Sequence, residues 1–426
     1  MATDSTAELT APATRVPQQA PGQIELGRAQ PYIRTRQPGG RDPLALVTRL
    51  ARDGGFDESA VYERNGRWWF AGGAAAVLTV SERTVAIGTD GGTFGLPWTG
   101  SPAAQLHALT RMLPVADWRL YGWAAYDFAL AAARIRTGRE LPPVLARFTV
   151  PRVEVAADGH GLDIRALDAA DLSRVLDTAA RHDPVTRPAW PVDPEAGDPE
   201  AYRAAVRDTL HRIRDGELGR AHLSRRVPVP HDVDFPATYL RGRAAGGPAR
   251  SFLLDTPGLR AAGFGPEAAV EVTADGCVTA RWSARSFRRD LDPLGEFTVV
   301  AGSAPHDGRL SGRLSGRLHE GRTAWDALVA LVPAATASGT PRSAAFQVIA
   351  DHEDSPRGLY SGAVVRATSA GDLDAAPVLR AVYTQGGRTW LRAGACLAAD
   401  SDPGRAYRET RAELAFVAPH VVPAVP

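Results

Sequence analysis

Two β-rich runs flank the dipeptide Asn65–Gly66, within the stretch VYERNGRWWFAGG. Asn-Gly between such runs is typical of a two-residue hairpin turn, and a hairpin of that kind joins antiparallel strands. More short strands separated by turn residues follow, including a pair that turns at Asp158–Gly161. The first part of the chain is therefore predicted to be a mixed, mostly antiparallel α+β arrangement.

Composition divides the chain into four segments. Residues 1–30, rich in Ala, Thr, Pro and Gln, are predicted to be a disordered tail. Residues 31–185 make up the antiparallel N-terminal half. The proline-rich stretch Thr186–Asp198 is predicted to be a connection, and residues 199–426 form a second half of one integrated domain.

Local patterns place some elements inside these halves. Pro43–Asp53 has the apolar spacing of a helix, and Pro199 is expected to open another, because proline suits a first helical turn. The local duplication RLSGRLSGRL at Arg309–Leu318 is predicted to be a flexible basic loop.

Composition also narrows the chemistry and the partners. All 49 basic residues are arginine, so no lysine base or lysine Schiff base is available, because arginine keeps its proton in proteins. A net charge of +1 and the lack of a long apolar run argue against nucleic acid and membrane as partners. Cys277 and Cys396 are predicted to be reduced, buried thiols, which indicates a cytoplasmic protein.

The most specific motifs lie towards the C-terminus. TASGTPR spans Thr336–Arg342, PRGLYSGAV spans Pro356–Val364, and LRAGACLAADSDP spans Leu391–Pro403. Together they resemble the core of the chorismate-utilising enzymes, and within that group they are most similar to the salicylate synthases. The resemblance implies an α+β fold with two stacked antiparallel β-sheets, flanking helices and an active-site cleft between the sheets. It also implies a monomer.

Part of that family's site is kept. The resemblance assigns Glu267 as the general acid and Thr336 as part of the wall of the ring pocket. Tyr360, Arg380 and the backbone N–H of Gly394 correspond to groups that hold the carboxylate-bearing arm of the substrate.

A magnesium site is partly kept as well. Glu296 and Glu409 correspond to magnesium ligands, and Glu413, one helical turn beyond Glu409, would face the same way. Magnesium prefers carboxylate oxygens and water, whereas nearby arginines compete electrostatically with a cation. Bound magnesium therefore stays an open alternative.

The other part of the site has changed. The family's water-activating lysine corresponds to Arg220, its Gly-Thr pair near the ring carboxylate to Arg285 and Ser286, and a pocket histidine to Arg309. A lysine beyond the last magnesium ligand corresponds to Glu413. The added arginines strengthen anion binding, but none of them can act as a base.

These changes affect differently the two chemical steps that the resemblance to salicylate synthases implies, which are addition of water to chorismate and elimination of the arm. Addition of water to chorismate needs a base, which Arg220 cannot be. His222, two residues further along the predicted strand and on the same face, is the candidate replacement, with a structural histidine as the other interpretation. Elimination of the arm by a pericyclic hydrogen transfer needs no base, only a dry, shaped pocket with donors for the carboxylates.

Three hypotheses follow. The leading one is a diverged salicylate-synthase-like enzyme of specialised metabolism, of lyase or isomerase type. It would bind a small carboxylated substrate and promote a base-free, metal-independent elimination or pericyclic rearrangement. The alternatives are an active salicylate or isochorismate synthase that uses chorismate and magnesium, and a non-catalytic ligand-binding pseudoenzyme.

Overall fold

The computed structural model describes residues 29–39, 42–181, 186–265, 270–282, 293–301, 312–333 and 337–424. The predicted disordered tail, residues 1–30, lies outside these ranges apart from its last two residues. Of those two, Gln30 makes a β-bridge with Val115.

The described residues form twenty strands. Their bounds are β1 Ile33–Pro38, β2 Ser59–Arg64, β3 Arg67–Val80, β4 Thr84–Thr89, β5 Gly92–Pro97, β6 Arg119–Ala124, β7 Ala146–Asp158, β8 Gly161–Ala166, β9 Arg220–Pro228, β10 Arg250–Thr256, β11 Leu259–Gly265, β12 Val270–Val272, β13 Cys277–Trp282, β14 Gly295–Ala301, β15 Gly312–Leu318, β16 Gly339–Thr340, β17 Ala363–Thr368, β18 Leu373–Pro377, β19 Ala381–Gln385 and β20 Arg388–Leu397.

Helices lie between and after these strands. Their bounds are α1 Pro43–Asp53, α2 Ala103–Thr110, α3 Tyr126–Ala132, α4 Ala169–Ala180, α5 Pro199–Arg214, α6 Phe235–Ala245, α7 Ala324–Leu331, α8 Arg342–His352 and α9 Pro403–Leu414, followed by the short 3₁₀ helix Ala418–His420.

Two long strands, β3 and β7, belong to both of two sheets. They pair with each other along most of their length, with a register shift between Ala74 and Ala76 next to Gly73, whose φ is +66°. One sheet has the order β1-β8-β7-β3-β2-β10-β11-β19-β20-β9-β16. The other has the order β5-β4-β3-β7-β6-β17-β18-β12-β13-β15-β14. All these pairings are antiparallel, as the hairpin signal indicates. The register shift in β3 has the form of a β-bulge, which bends a strand and so allows it to take part in two sheets.

The two sheets are stacked on each other and covered by helices. A buried cluster that contains strand residues from both sheets, including Tyr62, Trp123 and Val364, lies between them. Helices α1, α4 and α6 cover the first sheet, and α2 and α7 cover the second. Helices α3, α5, α8 and α9 pack around β9 and β20. The predicted α+β fold of two stacked antiparallel sheets flanked by helices is confirmed.

Local signals account for several of these elements. Asn65 and Gly66, with φ of 50° and 78°, form the turn between β2 and β3, as predicted. Helix α1 begins at Pro43 after Asp42, whose side chain accepts a hydrogen bond from Leu44 N. Helices α5 and α9 also begin with a proline after a capping aspartate. The helices predicted at Pro43–Asp53 and after Pro199 are thus confirmed.

Two predictions are wrong. In Arg309–Leu318, residues 309–311 lie outside the described residues, but Gly312–Leu318 is strand β15, paired with β13 on one side and β14 on the other. Gly316 suits this position because a Cβ there would lie 2.2 Å from the Glu296 carbonyl oxygen. Both cysteines lie outside any disulfide, as predicted, but they are partly exposed rather than buried.

No helix in the described ranges combines the length and the hydrophobicity that a transmembrane helix needs.

Candidate active site

Strands β9 and β20 form the floor of the site. They pair in register with His222 opposite Cys396 and Ser224 opposite Gly394. The N–H groups of His222 and Ser224 both point away from β20, because they donate to the Ser338 carbonyl and to Glu353 Oε1. In an antiparallel ladder, the N–H group of the residue directly opposite then also points away from its partner strand, so the Gly394 N–H points away from β9. The N–H of Gly394 is therefore directed to the other edge of β20, where the pairing with β19 extends no further than Leu391. The ligand-binding role of that group stays a prediction.

His222, Tyr360 and Gly394 come together on this floor. The Nε2 atom of His222 lies 3.2 Å from the Tyr360 hydroxyl oxygen. The imidazole also covers Gly394, since a Cβ on Gly394 would lie 2.5 Å from His222 Nε2. Burial raises the pKa of Tyr360 above its ordinary value, so its phenol stays protonated at neutral pH. Gly394 therefore has a second reason to be glycine, which the resemblance did not indicate: it leaves room for the histidine ring.

Beneath this group lies a buried ionic cluster of Glu353, Arg357 and Arg392, which we call the scaffold cluster. Glu353 Oε1 is 2.6 Å from Arg357 Nη2, and Glu353 Oε2 accepts from Arg392. Burial alone would raise the pKa of Glu353, but the two arginine charges outweigh it and bring the pKa down to about 2. Arg357 also donates to the carbonyl oxygens of Ala337 and His222. The cluster therefore ties β9 to the segment before β16 and to the turn that carries Tyr360.

A tight turn at residues 356–361 positions Tyr360. Gly358 and Ser361 both have positive φ values, 58° and 62°. The N–H of Gly358 donates to Asp127 Oδ2 over 2.9 Å, and its carbonyl accepts from Tyr126 N. Burial raises the pKa of Asp127 to about 6, although the Gly358 hydrogen bond acts in the opposite direction. The turn is thus anchored to the start of α3.

Sequence reasoning assigned no role to Asp127, Glu353 or Arg357. Glu353 and Arg357 are four residues apart, but Glu353 follows the end of α8, so the spacing of a helical ion pair does not apply to them. Asp127 and its partner Gly358 are 231 residues apart, so no local pattern links them.

Arg380 lies at the edge of this group and is already paired. Its Nε and Nη2 atoms lie 2.7 Å and 3.2 Å from the two carboxylate oxygens of Glu413, near the end of α9. The guanidinium carbon is 3.7 Å from the centroid of the Phe416 ring. We call Arg380 and Glu413 the rim pair, because their side chains are 22% and 37% exposed.

The three predicted magnesium ligands lie in different surroundings. Glu413 is bound to Arg380, and Glu409 lies 3.4 Å from Arg405. Glu296 is exposed on β14. Within the described ranges, no group of three or more His, Cys, Asp or Glu residues could hold a metal ion. Because two of the three carboxylates are already paired with arginines, no step is assigned to a magnesium ion, and their role as ligands stays a prediction.

Of the remaining predicted residues, the structure describes Arg220 alone. Arg220 is the exposed first residue of β9. Five others lie outside the described residues, and their roles stay predictions: Glu267, Arg285, Ser286, Arg309 and Thr336.

The sequence of this chain is similar to known proteins along most of its length. The family of chorismate binding enzymes matches residues 58–292 and 309–419. A salicylate synthase of Mycolicibacterium paratuberculosis is 33% identical in an alignment of 428 positions that covers 89% of this chain and 94% of that protein. Component 1 of the anthranilate synthase of Mycobacterium tuberculosis H37Rv is 28% identical, covering 90% of this chain and 91% of its own.

Solved structures share the fold. Anthranilate synthase component I of Streptococcus pneumoniae aligns with a TM-score of 0.65 at 20% identity, covering 82% of this chain and 90% of that one. The menaquinone-specific isochorismate synthase of Escherichia coli aligns with a TM-score of 0.64 at 15% identity, covering 93% of this chain and 96% of that one.

Proposed function

Because the chain belongs to the family of chorismate binding enzymes, we propose that it is a diverged, salicylate-synthase-like enzyme of specialised metabolism. It binds a small carboxylated substrate and promotes elimination of a side arm, or a pericyclic rearrangement, without a general base and without a metal ion. The observation that carries the proposal is Arg220, which stands where the resemblance places the base that activates water.

Arg220 supports this proposal through its chemistry and its position. It opens β9, is exposed, and pairs in register with Thr340 of β16. A guanidinium keeps its proton in proteins, so it can bind an anion or orient water but cannot deprotonate water.

His222 supports it through the group that it faces. Its Nε2 atom is within hydrogen-bond reach of the Tyr360 hydroxyl. Burial raises the pKa of that phenol, so it stays protonated. The imidazole also fills the space above Gly394. These contacts favour a role for His222 in positioning Tyr360 over a role as the replacement base.

An elimination of this kind needs little from the protein. In one step, a hydrogen passes from the substrate ring to the departing arm, so no side chain has to take a proton. The protein holds the reactive conformer, keeps water out and places donors at the substrate's polar groups. The Tyr360 hydroxyl and the Gly394 N–H are donors suited to that task, held by the scaffold cluster beneath them.

The test is the product profile with chorismate. Purified protein, chorismate and magnesium should give no salicylate fluorescence and no isochorismate. Arg220→Lys should not create that activity, because the rest of the site has diverged as well. Arg207→Lys, on the exposed face of α5, controls for adding a lysine elsewhere. Salicylate or isochorismate from the unaltered protein would instead establish the active synthase.

A second arm separates an enzyme from a pseudoenzyme. In the producing cell, Glu267→Gln and Arg380→Ala should abolish the pathway product if the protein turns over a substrate. An unchanged output with both variants would establish a non-catalytic ligand-binding role.

A further inference from the structure

The side chain of Arg380 is engaged on its edge and on one face. Its Nε and Nη2 atoms form a two-point pair with the Glu413 carboxylate at 2.7 Å and 3.2 Å. The Phe416 ring lies 3.7 Å from the guanidinium carbon. An Arg–carboxylate pair of this geometry uses the same donors that an arginine offers to a carboxylated ligand.

This rim pair belongs to the candidate active site. The Arg380 carbonyl accepts from Phe264 N near the end of β11, and α9 packs against β20, the strand that carries Gly394. The charge of Glu413 also reaches Tyr360, where it adds to the effect of burial on that phenol. A ligand held by Tyr360 and Gly394 would therefore meet Arg380 and Glu413 together.

We infer that Glu413 occupies, at Arg380, the position of a substrate carboxylate, so that the site selects a cyclic or polyene monocarboxylate with an uncharged group at the rim. The inference rests on the proposed function, because it takes the surroundings of Arg380 as part of the substrate site. Arg380 and Glu413 together carry no net charge. A second carboxylate arriving there would have to break the two-point pair and would then lie next to the displaced Glu413 carboxylate.

Phe416 supports the same substrate class. It is one of the large apolar side chains that the fold leaves exposed, with 51% of its surface accessible. One face of its ring is covered by Arg380, and the rest offers apolar surface at the rim. An uncharged ring or polyene end can cover that surface. A carboxylate would lose its hydration there without gaining hydrogen bonds from Arg380, whose Nε and Nη2 atoms already bind Glu413.

Calorimetry with two probes tests the inference: chorismate, which carries two carboxylates, and shikimate, a cyclic compound with one. Unaltered protein should bind chorismate no more tightly than shikimate. Glu413→Gln, which keeps the shape of the side chain, should release the Arg380 fork and raise the affinity for chorismate by about tenfold or more. It should leave the affinity for shikimate unchanged. Glu195→Gln is the matched control, since Glu195 pairs at 2.7 Å with Arg411 on the same helix.

Two outcomes would overturn the inference. One is no gain for chorismate in Glu413→Gln, and the other is an equal gain for both probes, which would reflect net charge alone. The double variant Glu413→Gln with Arg380→Met should lose the gain, and a gain retained without Arg380 would also overturn it. Failure of the proposed function is a separate observation, because it would appear as salicylate or isochorismate formed by the unaltered protein.

Discussion

Two Arg–Glu groups near Tyr360 have the same chemistry and different surroundings. In the scaffold cluster, the side chains of Glu353, Arg357 and Arg392 are 2%, 1% and 2% exposed. In the rim pair, those of Arg380 and Glu413 are 22% and 37% exposed. Both groups contain contacts of similar length, 2.6 Å between Arg357 and Glu353 and 2.7 Å between Arg380 and Glu413.

The difference in burial separates support from selection. A buried charge that loses its partner keeps its full desolvation cost, so the scaffold cluster cannot change partners and instead holds β9 and the Tyr360 turn in place. A partly exposed pair contributes little to stability because water can replace either partner. The rim pair is therefore free to act on ligands, and similar bond lengths do not indicate similar roles.

The largest effect is expected from Glu353→Gln. The change leaves the buried charges of Arg357 and Arg392 without a carboxylate, which should lower the free energy of unfolding by about 3–5 kcal/mol. Urea unfolding monitored by circular dichroism measures it. A loss below about 1 kcal/mol would mean that burial does not distinguish the scaffold cluster from the rim pair.

The sequence indicated some of these features because their causes are local. Asn65–Gly66 specifies its own turn, and Asp42 with Pro43 specifies the start of α1. The sequence does not indicate strand β15, because its glycines have low strand propensity. Pairing with β13 and β14 on both sides overrides that propensity.

The candidate site was predicted as a set of residues but not as a set of pairs. Arg380 and Glu413 were both singled out from the sequence, yet among 49 arginines no pattern shows which one Glu413 binds. Arg392 lies on β20 and Glu353 follows the end of α8, 39 residues earlier, so only the fold brings them into contact.

A third carboxylate sharpens the comparison. Asp127 is buried like Glu353, but its hydrogen bond in the site comes from the Gly358 N–H and not from an arginine. Burial accordingly raises its pKa from 3.8 to about 6, whereas that of Glu353 falls to about 2. A raised folded-state pKa gives stability that is complete below the unfolded value and is lost as the pH rises through about 6.

Asp127→Asn should remove that pH dependence, because an amide does not titrate. The amide oxygen can still accept the hydrogen bond from the Gly358 N–H, so the turn should keep its anchor. Relative to the unaltered protein, the variant should gain stability between about pH 4 and pH 7, by up to about 3 kcal/mol. Urea unfolding at both pH values measures the difference. An equal difference at the two pH values would show that Asp127 does not titrate in the folded protein over this range.

The smallest effect on stability is expected from Glu413→Gln, although the same variant should change ligand binding most. The glutamine keeps one hydrogen bond to Arg380, and water can reach the guanidinium, which also stays against Phe416. The free energy of unfolding should therefore fall by less than about 1 kcal/mol. Urea unfolding measured beside Glu353→Gln decides the point, with Glu195→Gln as the exposed control. A loss as large as that of Glu353→Gln would make the rim pair a second structural cluster, and any change in chorismate binding would then reflect misfolding at the rim instead of a released Arg380.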